Sequence, residues 1–175
     1  MIPHRLALIV LASIVASPTY GKSDGTKAEH EIDWWRTENA AVVSRIVDNV
    51  SVCSLFLYNN DNAVVISWGR DASVALSFNS TSWQFGSAEQ IPVAVAIGDA
   101  WLGPAGRSTV PSLMATANQD WLSVSLQQSI DDLLPRATTI TLKAPSHDLS
   151  FDIDRSKMSK LLLAEKRCRS TVISR

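Results

Sequence analysis

Cys53 and Cys168 are the only thiols in the 175-residue chain, and His4, His30 and His147 are its only imidazoles. An even pair of cysteines permits two chemistries. One is a disulfide, if the compartment is oxidising. The other is a nucleophilic thiol with His30 or His147 as its base. Neither histidine sits in a motif that would serve such a thiol, so the pair reads as a Cys53–Cys168 disulfide. Its loop of about 115 residues would stabilise the fold by roughly 4–5 kcal/mol through chain entropy.

Carboxylates pair at Asp131-Asp132 and at Asp152/Asp154. Acid–base hydrolysis needs one such group buried with a shifted pKa. Their positions predict instead that the first pair helps cap a helix and that the second lies on the wet face of a strand. The chain has no Gly-x-Ser-x-Gly elbow, no His-Glu-x-x-His, no phosphate-binding or dinucleotide-binding glycine loop and no Cys-x-x-Cys. No catalytic residue, metal ligand or cofactor is therefore assigned. The expected function is non-enzymatic binding of a protein or cell-envelope component, with a secreted hydrolase using paired carboxylates as the alternative.

Six tryptophans supply candidate anchors. Trp34, Trp35, Trp68 and Trp121 lie in or beside apolar strands and are expected in the core. Trp83 and Trp101 lie in segments bounded by Ser, Gly and Pro. Each either folds back as a lid on a sheet or stands out as an interface aromatic. Trp101, with Asp99 and Arg107 nearby, is the candidate binding patch. Asn49-Val-Ser51 and Asn79-Ser-Thr81 match the glycosylation sequon, relevant only in a eukaryotic source.

Charge is segregated along the chain. Residues 22–154 hold 8 basic and 16 acidic side chains, a balance of −8, and residues 155–175 hold 7 basic and one acidic, a balance of +6. Lys157, Lys160, Lys166, Arg167 and Arg169 are candidate contacts to an anionic surface such as lipid headgroups, the other reading being a solvated helix face. Nucleic acid is not an expected partner of an exported chain with an acidic body.

The elements that must position these groups read mainly as strands. Apolar and polar residues alternate along 74–78, 93–97, 122–126, 139–143 and 148–154, as in antiparallel strands that bury one face. Residues 50–58 form a β-branched and aromatic core strand around Cys53, and 63–68 are apolar on both faces, as in the centre of a sheet. Asn59-Asn60-Asp61-Asn62, Gly69-Arg70-Asp71, Gly86-Ser87, Gly103-Pro104-Ala105-Gly106 and Pro145-Ser146 are turn signals. A short helix is predicted over 129–134, started by Ser129 and Asp132 and stopped by Pro135. A second runs from an Asp154 or Ser156 cap to about Arg167, with Met158, Leu161, Leu162 and Cys168 turned inward. The fold expected is an antiparallel β sandwich or partly closed barrel, with the C-terminal helix packed on the sheet.

The beginning of the chain sets the compartment. Arg5 precedes a ten-residue apolar run, 6–15, interrupted only by Ser13, and small residues lead out to Gly21. This is the order of a secretory signal peptide, cut after Ala16 or Gly21, and its apolar run is too short to span about 30 Å of hydrocarbon. The expected organisation is a signal peptide at 1–21, a flexible segment at 22–30, one mainly-β domain at 31–168 and a basic tail at 169–175. With 46% apolar and 19% charged residues, the chain has a globular composition, and the mature product is expected in the periplasm or outside the cell.

Taken together, the signal-like start, Cys53 in an early strand, the run Val93-Ala-Val-Ala-Ile97-Gly-Asp99, and Leu149-Ser-Phe-Asp-Ile153 followed by a helix and Cys168 resemble small exported proteins of Gram-negative bacteria. The named group they resemble is the invasion-associated locus B family, over residues 50–168 in outline. The resemblance implies a periplasmic or envelope-associated β protein. Where that family tends to have Ile-Asp-Gly, this chain has Ile97-Gly98-Asp99, and it lacks a later Gly-Cys pair. No functional residue is carried over.

Overall fold

The structure, a computed structural model, describes residues 31–47, 50–69, 73–102, 113–126 and 128–172. The predicted signal peptide and the segment 22–30 lie outside the described residues. Alternating side chains produce strands β1 (Ile32–Arg36), β2 (Ala40–Val47), β3 (Val50–Tyr58), β4 (Asn62–Trp68), β5 (Val74–Ser80), β6 (Phe85–Ile97), β7 (Ala100–Leu102), β8 (Leu113–Gln119), β9 (Trp121–Leu126), β10 (Thr139–Ala144) and β11 (His147–Asp152). One α-helix follows, α1 (Arg155–Val172).

The pairing is antiparallel throughout, and the order is β1-β2-β3-β4-β5-β9-β8-β6-β10-β11, with β7 also on β6. Strand β6 is the pivot. Phe85–Val93 pair with β8, while Ala94–Ile97 pair with β10 on one edge and, at Val95–Ile97, with β7 on the other. The sheet bends far enough for β11 to touch β4, so one core fills its concave side. It is not closed, and the result is the predicted mainly-β, sandwich-like fold with a helix on the sheet.

Register explains the core. Val42, Leu55, Ile66, Leu76 and Val124 form one row across β2-β3-β4-β5-β9, and all are buried. The central strands are also buried on the convex side, where Ala63, Val65 and Trp121 cluster with Phe56 and Tyr58. This matches the two-faced apolar run read at 63–68. Small hydroxyls fill the same side, with Ser54 Oγ 2.9 Å from Ser67 Oγ and Ser77 Oγ 2.8 Å from Ser123 Oγ, so buried polar atoms satisfy one another.

Turn chemistry behaves as expected at Asn59–Asn62 and Pro145-Ser146, whereas Gly86-Ser87, read as a turn, lies inside β6, where the pairing with β8 shifts register between Phe85 and Glu89 and the strand continues past the glycine. The Asn59 side chain accepts hydrogen bonds from the backbone of Asp61 (3.0 Å) and Asn62 (2.8 Å), which closes the β3–β4 hairpin. Pro145-Ser146 makes the two-residue turn between Ala144 and His147. Gly98 supplies φ +58° to the two-residue β6–β7 turn, which a side chain there would strain. The turns at 70–71 and 103–106 lie outside the described residues.

The short helix also differs from its prediction. In place of a helix over 129–134, residues 131–133 form a turn and a 3-10 helix follows at Leu134–Arg136 with Pro135 inside it. Ser129 Oγ does accept the Asp131 N–H at 3.2 Å. Pro135 has no N–H for an α-helical bond and is tolerated in a first turn, so it helps start the short helix and does not end one.

Candidate functional site

The N-terminus of α1 is set by Asp154. Its Oδ1 accepts the backbone N–H of Ser156 at 3.0 Å and the Ser156 hydroxyl at 2.6 Å, and these bonds hold its carboxyl below the usual carboxylate range. Met158, Leu161, Ala164, Glu165 and Cys168 turn inward, onto β1–β3. Cys168 reaches Cys53 in a disulfide with 6.1 Å between the Cα atoms, and both residues are fully buried. Leu162 lies half-buried on the flank. The helix runs past Arg167 to Val172, so Arg169 is a helical residue.

Beside the disulfide, Arg169 serves three partners. Its Nη1 donates to Glu165 Oε1 at 2.8 Å and to Asp131 Oδ1 at 2.8 Å, and its guanidinium lies 5.3 Å from the Trp68 ring centroid. Burial pushes the Glu165 carboxyl up, with Arg169 pulling the other way. Burial lowers the Arg169 pKa, but the hydrogen bonds to Asp131 and Glu165 outweigh it and the net direction is up. Asp131 thus serves as an ion-pair partner of α1, while Asp152 and Asp154 stand exposed on the wet side.

Trp83 and Trp101 separate cleanly. Trp83 is folded in, its ring centroid 5.5 Å from Phe85 and 5.9 Å from His147. Trp101 remains 41% exposed. Lys143 Nζ lies over its ring, 5.6 Å from the centroid. Trp101 pairs with Ala96, which pairs on its other side with Thr141 and then Ser150, while Lys143 stands between Ala94 and Asp148. Met114, 55% exposed, pairs with Pro92 on the same side of β6 by strand alternation. Asp99 is exposed in the turn before Trp101, and Arg107 lies outside the described residues.

The five candidate basic residues of the ending divide in two. Lys157 pairs with Asp154 at 3.3 Å, and Arg169 is committed to Glu165 and Asp131. Lys160, Lys166 and Arg167 are exposed and form no ion pair among the described residues. Asn79 of the second sequon is fully buried and donates through Nδ2 to the Asp120 carbonyl at 3.0 Å, so it presents no glycan acceptor, and Asn49 lies outside the described residues.

Of the predicted core tryptophans, Trp68 and Trp121 are buried, and Trp34 and Trp35 are half-buried against the core, with Trp34 Nε1 donating to Ser44 Oγ at 2.9 Å. Sequence reasoning missed Met114 and Lys143 as neighbours of the Trp101 region. Lys143 had a signal, as the polar member of an alternating strand, whereas nothing local marks Met114 as exposed. Among the described residues no three His, Cys, Asp or Glu side chains are grouped to hold a metal ion, and no helix is long and apolar enough to cross a membrane. The chain matches no model of a known family, no curated protein and no solved structure.

Proposed function

We propose that this is an exported, non-enzymatic module of the periplasm or cell exterior that binds a protein or cell-envelope component through the sheet face around Trp101. The observation that carries the reading is the exposure of Trp101 on a paired strand. A large ring left in water on a rigid strand gives up little side-chain entropy when covered, which is why tryptophan recurs at the centre of interfaces. Met114 extends the apolar area, and Lys143, Thr141, Ser150 and Asp148 provide a polar rim. Export is supported by the order of residues 1–21 and by a disulfide of the kind that persists in oxidising compartments. The likeness of 50–168 to the invasion-associated locus B family points the same way.

The test is capture from the native envelope fraction with the tagged wild type and a Trp101→Ala variant side by side. A partner held by the wild type and weakened about tenfold or more by the substitution is expected, as for an anchor contributing roughly 1.4 kcal/mol or more. Identical capture profiles would remove Trp101 from the site.

A further inference from the structure

The outward face of α1 carries a second surface, remote in strand order from Trp101 and independent of the reading built on it. At 3.6 residues per turn, the buried positions Met158, Leu161, Glu165 and Cys168 place residue 163 at the centre of the opposite face. Leucine stands there, 52% exposed. Lys160 and Lys166 lie three residues to either side of it and Arg167 four residues on, with Ser156, Ser159 and Ser170 filling the remainder. Arg155 stands exposed at the flank. The only carboxylate of the helix, Glu165, faces inward.

We infer that this face docks on an anionic lipid surface, with Lys160, Lys166 and Arg167 meeting headgroup phosphates and Leu163 entering the interface between them. Charge complementarity carries the assignment. Residues 155–175 hold a balance of +6, whereas residues 22–154 hold −8. A negative surface therefore attracts this end and repels the body, which orients the molecule helix-first. The three unpaired cations span about 10 Å of helix axis, and a helix lying along the outside of a sheet meets a flat surface along its length. A soluble polyanion would need the cations only; Leu163 gains something only where hydrocarbon lies within reach.

The test is binding of the full chain to vesicles of phosphatidylglycerol mixed with phosphatidylcholine, and of phosphatidylcholine alone, at low and high salt. The apolar run 6–15 is common to every variant, so the readout is the gain from neutral to anionic vesicles. The wild type should prefer anionic vesicles and lose that preference in high salt, where screening is strong. Lys160→Glu/Lys166→Glu/Arg167→Glu should remove most of the gain, on the order of 100-fold at about fivefold per charge near such a surface. Leu163→Ala should weaken binding several-fold with an unchanged salt slope, and Trp101→Ala should bind vesicles like the wild type. These side chains are exposed, and matching thermal melts would confirm intact folds. Equal binding by the triple-Glu variant and the wild type, or no preference for anionic vesicles, would overturn the inference. So would charge-reversal sensitivity combined with no effect of Leu163→Ala and tight heparin binding, which would assign the face to a soluble polyanion.

Discussion

Glu165 is the residue at which burial and charge compete most directly. Its carboxyl is buried, and its pKa is raised because desolvation outweighs the pull of Arg169. A raised carboxyl binds more protons in the folded chain than in the unfolded one, so it detracts from stability above its folded pKa and stops doing so as pH falls through it. Glu165→Gln keeps an acceptor for Arg169 and removes the buried charge. Thermal melts should therefore show this variant slightly more stable than the wild type at neutral pH, with the gap closing towards acid; a gap that widened on acidification would contradict the burial argument. Asp154 and Asp33 have the opposite sign. Both are held low, by bonds from Ser156 and from Arg36 respectively, so what they contribute is present above the ordinary carboxylate range and is lost in acid.

At the scale of elements, α1 is fastened at both ends. Asp154 caps its start, and the Cys53–Cys168 disulfide with the Arg169 ion pairs holds its last turns over Trp68. Removing the covalent tie frees a loop of 115 residues. Cys168→Ser should cost about 4–5 kcal/mol and lower the melting temperature by roughly 10–20 °C for a chain of this size. Hydrogen exchange should show the loss of protection concentrated in α1, with β3, β4 and β5 still protected. Uniform loss across the sheet would mean that the helix is part of the same cooperative unit.

The whole molecule depends on one bent sheet closing over a single core. Phe78 sits in a row between Val64 and Leu122 and is fully buried. Phe78→Ala should cost about 3–5 kcal/mol in denaturant melts, since neighbours held by strand pairing cannot collapse into the gap. The two proposed surfaces are carried by opposite ends of the strand order. The Trp101 face lies on β6, β7 and β10, and the basic face on a helix packed over β1–β3. Loss of one should therefore leave the other intact.

Local chemistry was legible wherever a residue's own neighbours decide its state. The alternation at 74–78 and 122–126, the two-faced apolar run at 63–68, the Asn59 turn, the Asp154 cap and the inward stripe ending at Cys168 all follow from periods of 2 and 3.6 together with turn preferences. Other features needed contacts distant in sequence. Strand β8 buries Ala115 and Ala117, small residues with weak strand preference, and turns into β9 at Gln119, which holds φ +57° without being Gly or Asn. Pairing with β6 and β9 imposes that conformation; its own sequence does not. Likewise, two tryptophans in similar Ser-rich and Gly-rich surroundings met opposite fates. Trp83 packs on Phe85 and His147, 64 residues ahead of it in the chain, whereas Trp101 lies exposed on a short strand with Lys143 over its ring. The sequence by itself determined that strands, one capped helix and a cystine would form, because those are set by side-chain period and thiol pairing. Only the tertiary structure decided which aromatic and which cations remain in contact with water, because exposure depends on what the folded sheet brings over each side chain.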